Sequence, residues 1–552
     1  MKPPALAFAL ALLLPPVPLL AVEETTAQET AAVNQLIDRV ILQEKSFLDR
    51  MSKTAPLVET YIQETPEGAA AGTHPNKDHY FLGRFRVGRE IAYEPLVERT
   101  DPPPPVVKSR SVLALRTGAP RIQPLAFVPR GFAQMAFLDL RAFNRSTYRF
   151  EYVRREFLGD VRCLVFDVAP LVRDQAGRFV GRMWVEDRDN AIVRFDGTYG
   201  PAPLPKGAPL EHYFHFDSWR VNVAPGEWAP AQIYIEEAGA NSGGEKGAPR
   251  FKAQTRIWAF ASGPANKLDE LTKILVENDA GLKDQEAGRD ASPLESQRRW
   301  EHQAEENLLS RFEKSGFLAP PGLVEEVLNT VVDNLIGSAN LNVEARCRVL
   351  LTTPLETFSI GHTIVISRGL IDVLPDEASL ALVLADELAQ IALGQRTPTE
   401  FAFHNRTMLG DIDLLQRARM ARSPLELLEG SKKTIEIMRA SPYQKMSNAG
   451  LFLKALSSRG VALPHLLAPN IGNQVANAEA ISQLAEFTSA APALEENKVE
   501  QIAALPLGSR VKLNPWNDQI ALVKTKPLSL LSAREKMPFE VTPFALYLTR
   551  VE

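Results

Sequence analysis

The chain has 552 residues, of which 45% are hydrophobic and 23% are charged, and its formal net charge is −5. This composition is typical of a globular protein, and the length accommodates two to four domains of roughly 100–200 residues each. A weakly acidic chain lacks the excess of basic residues that binds polyanions, so we expect no nucleic-acid partner.

The N-terminus has the pattern of a secretory signal. Lys2 precedes an apolar stretch at residues 5–21 that several prolines interrupt, and acidic sequence starts at Glu23. A basic start, a short apolar stretch and small residues are typical of a signal peptide. We predict a signal peptide at 1–22, with cleavage between positions 21 and 27, and a protein exported to the periplasm or secreted. The alternative is a retained membrane anchor, which the prolines disfavour.

The next segment, 23–78, is predicted to be helical and amphipathic. Its apolar residues recur mostly at spacings of three and four, which indicates a helix that ends before Pro56. These residues are Val33, Leu36, Ile37, Val40, Ile41, Phe47, Leu48 and Met51.

Residues 79–262 change to an alternating pattern broken by proline- and glycine-rich turns. Alternation of apolar and polar residues over short runs is typical of antiparallel strands, so we predict an antiparallel sheet or half-barrel. The predicted strands are 148–152, Cys163–Val168, Phe179–Val185, His212–Phe216, Gln232–Glu236 and Phe251–Phe260.

Four tryptophans in this β-rich domain allow two interpretations. Trp184, Trp219, Trp228 and Trp258 either form its core or line a concave face that holds a lipid or acyl chain, and we favour the core. The runs Met183–Asp187, Ile192–Phe195 and Thr198–Gly200 resemble paired strands of the outer-membrane lipoprotein-sorting half-barrels. That resemblance implies lipid carriage through the N-terminal domain as one alternative function.

The two cysteines, Cys163 and Cys347, lie in different predicted domains. Neither has a neighbour at the spacing of a zinc site, which excludes a structural thiolate site. We expect two buried free thiols in preference to a long-range disulfide.

The remaining chain is predicted to be mainly helical. Residues 263–320 form a charged connector with a helix at 294–312, and 321–487 form a helical domain with a small sheet. The tail 488–552 is predicted to be β-rich. The helical domain contains a helix after Pro321, strands at 346–351 and 363–367 and a helix at 376–394. The fold class is therefore α+β and multidomain.

The helical domain contains a segment that resembles a peptidase family. Thr357–Leu370 is followed by Asp376–Glu377–Ala378 and the helix Leu380–Gln395. This order resembles metallopeptidase family forty-eight, which includes HtpX, BepA and the CAAX prenyl proteases, and the match covers about residues 321–465. The resemblance implies a substrate-binding edge strand, here Phe358, Ser359, Ile360, Gly361 and His362, ahead of a helix that carries an H-E-x-x-H motif.

The metal-binding positions of that motif are altered. Two histidines at i and i+4 share a helix face and hold zinc, while the glutamate takes a proton from the bound water. Here Asp386 and Gln390 replace the two histidines, and Glu387 keeps the position of the general base. We expect Glu387 to be inactive, because no metal acidifies a water molecule beside it.

The third ligand of the family is a glutamate on a later helix. In one register Gln444 replaces it and Asn448 replaces the aspartate that follows; a shift of one residue gives Lys445 and Ala449. Both registers remove the third ligand. We therefore expect no cofactor and no metal site, with zinc only if the site is rearranged.

Other metal or nucleophile chemistry is disfavoured by the local pattern. Asp386 and Glu387 are hard oxygen ligands, but neighbouring helical residues point about 100° apart and do not converge. His362 and His404 lack partners at ligand spacing, and His212 and His215 fall on opposite faces of a predicted strand. Ser359 near His362 lacks the third group of a nucleophilic triad.

The sequence predicts a pseudo-protease of the cell envelope. An extended peptide or envelope protein would bind by strand addition along Thr357–Ser367 without being cut. The alternatives are an active zinc metalloendopeptidase with an altered site and the lipid or lipoprotein carrier described above.

Overall fold

The structure is a computed structural model with an α+β fold. The residues it describes are 20–66, 69, 73–99, 127–172, 177–200, 214–237, 250–261, 293–395, 402–403, 410, 413, 420–444, 447–467, 471–475, 481, 484–523 and 536–551. The predicted signal peptide lies outside these residues except at 20–22, where the first helix begins.

In the residues that the structure describes, the first half contains two helices and ten strands. The helices are α1 (Leu20–Met51) and α2 (Pro129–Gln134). The strands are β1 (Leu57–Glu64), β2 (Lys77–Val87), β3 (Ile91–Arg99), β4 (Tyr148–Leu158), β5 (Val161–Pro170), β6 (Phe179–Glu186), β7 (Ile192–Tyr199), β8 (Phe214–Ala224), β9 (Glu227–Glu237) and β10 (Phe251–Trp258).

These strands form one open antiparallel sheet in the order β3-β2-β1-β10-β9-β8-β7-β6-β5-β4. Each strand from β4 to β10 pairs with its neighbour in sequence, and β10 returns to pair with β1 along its whole length. The sheet therefore has β3 and β4 as its two edge strands. The prediction of an antiparallel sheet is confirmed, and the sheet is not closed into a barrel.

The sheet begins earlier than the sequence pattern indicated. The helix ends at Met51, before Pro56 as predicted, but β1 starts at Leu57, inside the segment 23–78 that we expected to be helical. Seven of the eight β1 residues are buried, because the strand lies between β2 and β10 with both faces covered. A strand buried on both faces has no alternation, which is the signal that strand prediction uses.

Helix α1 packs on one face of the sheet, which we call the α1 face. Ile37, Val40 and Phe47 of α1 share a core with phenylalanines of β2, β5, β6, β7 and β8. Arg220 of β8 donates two hydrogen bonds of 2.7 Å to the carboxylate of Glu44, and both side chains are almost fully buried. This ion pair fixes the helix along the sheet.

All four tryptophans of the β-rich domain belong to the core. Their exposed fractions are 4% or less, and they lie in clusters separate from the one around α1. The interpretation of these tryptophans as core residues is confirmed.

The second half contains helices packed around a small mixed sheet. Its helices are α3 (Pro293–Lys314), α4 (Leu323–Ser338), α5 (Arg368–Val373), α6 (Glu377–Ala392), α7 (Pro424–Ala440), α8 (Ser447–Arg459), α9 (Pro464–Leu467) and α10 (Ala485–Ala490). Its strands are β11 (Arg346–Leu350), β12 (Glu356–Ile360), β13 (Thr363–Ser367) and β14 (Asn473–Gln474), in the order β11-β13-β12-β14, and the hairpin of β15 (Val511–Leu513) and β16 (Ile520–Leu522).

The two halves share one hydrophobic core. Leu57, Tyr80 and Trp258 of the large sheet contact the same cluster as residues of α3, α4, α6 and β13. Helix α3, predicted as part of a connector, buries Leu308 and Phe312 in this cluster. The helix predicted at 294–312 is present as α3, and it is also a core element of the second half.

The C-terminal segment also joins the halves. Gln63 of β1 donates to the carbonyl of Phe539 at 2.9 Å and accepts from the amide of Val541 at 2.9 Å. Leu548 is buried in the core around Trp219. In the described residues of 488–552, the strands are those of the β15–β16 hairpin, so the part of the tail that the structure describes is less rich in strands than we predicted.

Both cysteines are buried free thiols, as predicted. Burial raises the pKa of Cys163 and of Cys347 to about 12. Among the described helices, none has the length and apolarity that a bilayer span requires.

Candidate functional site

The centre of the candidate site is helix α6. The side chain of Asp376 caps its N-terminus by accepting a hydrogen bond of 2.9 Å from the amide of Ser379. The helix ends at Ala392, and Gly394 follows with a φ of +70°, a conformation that favours glycine. The helix is buried along most of its length, which places its polar side chains inside the protein.

Asp386 and Gln390 lie on one face of α6, directed at α7. The hydroxyl of Thr434 on α7 lies 3.0 Å from Oδ1 of Asp386. A Cβ atom added to Gly430 would lie 1.8 Å from Nε2 of Gln390, so a glycine is needed where the amide meets α7. The side chains at positions 386 and 390 are thus both packed against α7.

Glu387 points away from that face, towards the small sheet. Its Oε1 accepts hydrogen bonds of 2.9 Å from the hydroxyl of Thr357 on β12 and of 2.9 Å from the amide of Asn473 on β14. Glu387 is fully buried. Its carboxylate therefore connects α6 to two strands, and it lies apart from Asp386 and Gln390, as the 100° step between neighbouring helical residues requires.

Gln444 does not join the other positions. Helices α6 and α7 run antiparallel, because Gly430 meets Gln390 and Thr434 meets Asp386. Continuing this order, the hydroxyl of Tyr443 donates to Glu377 in the first turn of α6 at 2.6 Å. The exposed Gln444 follows Tyr443, so it lies near the far end of α6, about 13 Å along the helix axis from Asp386. Lys445, of the second register, lies outside the described residues.

The predicted substrate strand is largely covered. Phe358, Ser359 and Ile360 are each 1% exposed or less. Strand β14 pairs with β12 at Glu356 and Thr357, and the guanidinium of Arg422 donates to the hydroxyl of Ser359. The structure therefore does not present β12 as an open edge over its first two residues, because the chain supplies its own short strand there.

Gly361 and His362 form the turn between β12 and β13. Gly361 has a φ of +56°, and a Cβ atom there would overlap the carboxylate of Glu305 on α3. His362 is exposed, and its Nδ1 lies 3.0 Å from the carbonyl oxygen of Glu344. These two residues lie at the outer end of the hairpin and do not contact Glu387. His404 and His212 lie outside the described residues.

The electrostatics of the site favour a protonated Asp386. Burial raises the pKa of Asp386 to about 7, with repulsion from Glu387 acting in the same direction and contacts with Thr434 and Arg422 opposing it. The hydroxyl of Thr434 also lies 2.9 Å from the carbonyl oxygen of Gly430. Because a hydroxyl carries one proton, both contacts are complete only when Asp386 is protonated and donates to Thr434.

Two side chains at the site carry polar atoms without hydrogen-bond partners among the described residues. These atoms are Oε2 of Glu387 and both amide atoms of Gln390, and both side chains are fully buried. Buried polar groups of this kind destabilise a fold. The site thus keeps polar groups that its packing does not fully satisfy.

These residues do not fit a tetrahedral zinc ion. Zinc needs three or four nitrogen, sulfur or carboxylate donors that converge at about 2 Å. Asp386 and Gln390 face α7, Glu387 faces the sheet, and Gln444 lies at the other end of α6. In the part of the chain that the structure describes, no cluster of three or more His, Cys, Asp or Glu side chains has metal-binding geometry.

Sequence reasoning missed the residues that hold Glu387 and Asp386 in place. Asn473 receives a hydrogen bond of 2.7 Å from the amide of Arg422, besides its contact with Glu387. A signal for α7 was present, since Ser423 and Glu426 form a capping box at its start. That motif identifies the helix, but it does not reveal that Thr434 faces Asp386.

A cavity lies on the α1 face, at one end of the sheet. It has a volume of ≈ 1050 Å³ and lies between α1, the turn after β2 and the segment 139–144. Its apolar wall includes Ile41, Leu48 and Phe143, and charged residues such as Lys45 and Arg141 lie at its rim.

The comparisons with known proteins leave the family open. No family model matches the chain, and no curated protein matches it. Among solved structures, it is similar to the crystal structure of a DUF1329 family protein from Desulfovibrio piger, with 11% identity over 40% of this chain and 90% of that chain. The TM-score is 0.21, which supports no inference about fold or function.

Proposed function

We propose that this protein is an exported, catalytically inactive relative of the zinc metallopeptidases, and that it binds a peptide or protein in the cell envelope. The observation that supports the proposal is that the side chains at the three motif positions do not point to one place. Asp386 and Gln390 are directed at α7, whereas Glu387 is hydrogen-bonded to Thr357 and Asn473.

The chemistry of peptide hydrolysis supports this interpretation. A metallopeptidase needs a metal-bound water next to a free carboxylate that accepts its proton. Here the carboxylate of Glu387 accepts two hydrogen bonds from the fold, and Asp386 holds its proton up to about pH 7. The retained glutamate therefore serves as a connector between α6 and the small sheet.

Binding at β12 would follow from the short length of β14. Strand β14 has two residues, Asn473 and Gln474, and makes two residue pairs with β12. An extended peptide that displaces this short strand, and with it the contact of Arg422 with Ser359, would continue along Phe358–Ile360, because the backbone of an extended ligand supplies the same ladder hydrogen bonds. The proposed binding strand, β12, is the strand that the family resemblance implies.

Metal content and cleavage of fluorescein-labelled β-casein, an unfolded protein, test the proposal on the full mature chain. We expect no stoichiometric metal and no cleavage, together with saturable binding measured by fluorescence anisotropy. Glu387→Gln should leave the absent cleavage unchanged, and the matched control Glu377→Gln at the exposed start of α6 should leave both binding and the absent cleavage unchanged.

Two outcomes would contradict this function. One zinc per chain with chelator-sensitive cleavage that Glu387→Gln abolishes would establish the alternative, an active metalloendopeptidase. Absence of both cleavage and casein binding would remove the peptide-binding role.

The cavity on the α1 face supports a second candidate, the lipid or lipoprotein carrier. Its volume of ≈ 1050 Å³ and its apolar wall suit an acyl chain, and Lys45, in a charged lining where Arg141 is paired with Glu90, is a candidate contact for an anionic headgroup. Native mass spectrometry of the full chain, with and without Leu48→Arg, tests this candidate. A co-purifying lipid that the variant loses would support it; a lipid-free chain would refute it.

A further inference from the structure

The edge strand β4 has a long surface that no described strand covers. It is the last strand of the ten-stranded sheet and pairs only with β5. Seven of its eleven residues are exposed, among them the hydrophobic Tyr152, Val153 and Phe157, with exposed fractions of 44%, 37% and 67%. An exposed edge with apolar side chains is a template for pairing with another strand.

The other edge of the sheet differs. Strand β3 contains Pro95, which lacks the amide proton that a ladder needs. Strand β4 contains no proline over its eleven residues, Tyr148–Leu158. Of the two edges of the ten-stranded sheet, only β4 is therefore suited to strand addition.

The charges of β4 on the face opposite α1 form a regular series. A bulge between Tyr152 and Arg154 shifts the pairing with β5 by one residue. Because of this shift, Arg149, Glu151, Arg154 and Glu156 all lie on the face opposite α1, while Tyr148, Phe150, Arg155 and Phe157 lie on the α1 face. Along the strand, the charges on the face opposite α1 are therefore positive, negative, positive and negative.

This series is complementary to itself in the antiparallel direction. We propose that β4 pairs with β4 of a second copy of this chain, antiparallel, about a two-fold axis between Tyr152 and Val153. Arg149 then faces the second copy's Glu156, and Glu151 faces its Arg154. The two-fold axis repeats both contacts, so the pair of strands contains four opposite-charge pairs on one face.

The bulge makes this register compatible with a continuous sheet. In a two-fold pairing whose axis is perpendicular to the sheet, opposite residues must lie on the same face. The proposed register satisfies this condition, since Tyr148 faces the second copy's Phe157 and Phe150 faces its Arg155 on the α1 face. Without the extra residue, the same charge pairs would require side chains from opposite faces to meet.

Neighbouring registers are disfavoured by like charges. A shift of two residues in one direction places Arg149 opposite the second copy's Arg154, and a shift in the other direction places Glu151 opposite its Glu156. Like charges directly opposite each other destabilise a strand pair. The charges therefore select both the partner, a second copy of the chain, and the register.

Sedimentation equilibrium of the full mature chain tests the proposal. The native chain should form a dimer. Glu151→Arg creates two arginine–arginine contacts across the axis and should raise the dimer dissociation constant at least tenfold, as should Arg154→Glu. The double variant Glu151→Arg with Arg154→Glu restores every opposite-charge pair and should restore the dimer. Glu94→Arg, an exposed residue of β3, is the matched control and should have no effect.

Disulfide trapping tests the register. Val153→Cys places two thiols beside the axis and should give a cross-linked dimer under mild oxidation. Phe157→Cys lies about nine residues from its symmetry mate, roughly 30 Å away, and should give none. A monomer at all concentrations, a dimer unaffected by Glu151→Arg, or cross-linking through Phe157→Cys in place of Val153→Cys would each overturn the proposal.

Discussion

Two buried polar clusters in this protein are arranged in different ways. At the junction of the two halves, Arg368 of α5 contacts Glu59 of β1 at 3.0 Å and Asp372 at 3.8 Å, and all three are 1% exposed or less. On helix α6, Glu387 and Gln390 are equally buried, but Oε2 of Glu387 and both amide atoms of Gln390 have no partner among the described residues.

The cluster at the junction is densely hydrogen-bonded. Glu59 accepts bonds from the amide and hydroxyl of Thr353, each at 2.6 Å, and from the hydroxyl of Tyr80 at 2.8 Å. Asp372 accepts from three backbone amides of the C-terminal segment. Buried charges of this kind persist only when they are paired and hydrogen-bonded, so this cluster is an element of the fold. The buried polar groups of α6 lack that completeness, because Oε2 of Glu387 and both amide atoms of Gln390 have no partner among the described residues.

The largest expected effect is at the junction. Arg368→Ala removes the cation that pairs with Glu59 and leaves Asp372 with Arg256 at 3.9 Å, and we expect it to lower the free energy of unfolding by about 3–5 kcal/mol. Urea denaturation measures this change. The control is Arg439→Ala, which removes an exposed ion pair with Glu486 and should cost under about 1 kcal/mol. Equal effects of the two variants would show that the junction cluster is not structural.

A smaller, pH-dependent effect is expected at Asp386. Its pKa in the folded protein is raised to about 7, so between pH 4 and 7 the unfolded chain has released a proton that the folded chain still holds. The free energy of unfolding therefore falls as the pH rises through this window. Asp386→Asn should remove the fall and stabilise the protein at pH 8 by on the order of 2 kcal/mol, after allowance for partial exposure.

Unfolding in urea at a series of pH values checks this prediction. Asp333→Asn, on the exposed side of α4, is the control and should leave the pH profile unchanged. A profile of Asp386→Asn that superimposes on that of the native chain would contradict the raised pKa.

The contact between Gln390 and Gly430 should give an effect of about 1 kcal/mol whose sign depends on the background. Gly430→Ala alone forces a methyl group onto the buried amide of Gln390 and should destabilise the protein. In a Gln390→Ala background the overlap is absent, and the same change should stabilise α7 through the higher helix propensity of alanine.

A double-mutant cycle of thermal unfolding measures this reversal. Gly337→Ala on α4 is the control, because a Cβ atom there meets no heavy atom within 4 Å. If Gly430→Ala has the same effect in both backgrounds, the two side chains are not in contact.

The smallest expected effect is on metal binding. Asp386→His with Gln390→His introduces the two histidines of an H-E-x-x-H motif, and Gln444→Glu adds the glutamate that the resemblance implies as third ligand. We expect no stoichiometric zinc after dialysis, because Gln444 lies near the first turn of α6 and the new imidazoles would face α7. Metal analysis of the double and triple variants decides the point; one zinc per chain in the triple variant alone would show that Gln444 reaches the site.

Much of the fold could be predicted from the sequence. The spacing of apolar residues up to Met51 predicted α1, and alternation predicted the strands from Tyr148 to Phe260. The capping Asp376 and the apolar run after it predicted α6. Strand β1 could not be predicted, since a strand buried on both faces has no alternation, and α3 was taken for a connector because its charged residues outnumber its buried ones.

The residue types of the candidate site were readable from the sequence, but their directions were not. The family resemblance alone was enough to select Asp386, Glu387 and Gln390 as candidate residues. The partners Thr434 and Asn473 lie 48 and 86 residues away in the chain from Asp386 and Glu387, and no local pattern links them. Their positions depend on the antiparallel packing of α6 on α7 and on the pairing of β14 with β12.

The sequence by itself determined that positions 386 and 390 carry no histidine, because that is a statement about residue identity. Only the tertiary structure decided that the remaining polar groups point to different neighbours, that the two halves share one core, and that β4 is left as an edge. Local patterns encode which face of an element is apolar; which element covers that face is decided by long-range packing.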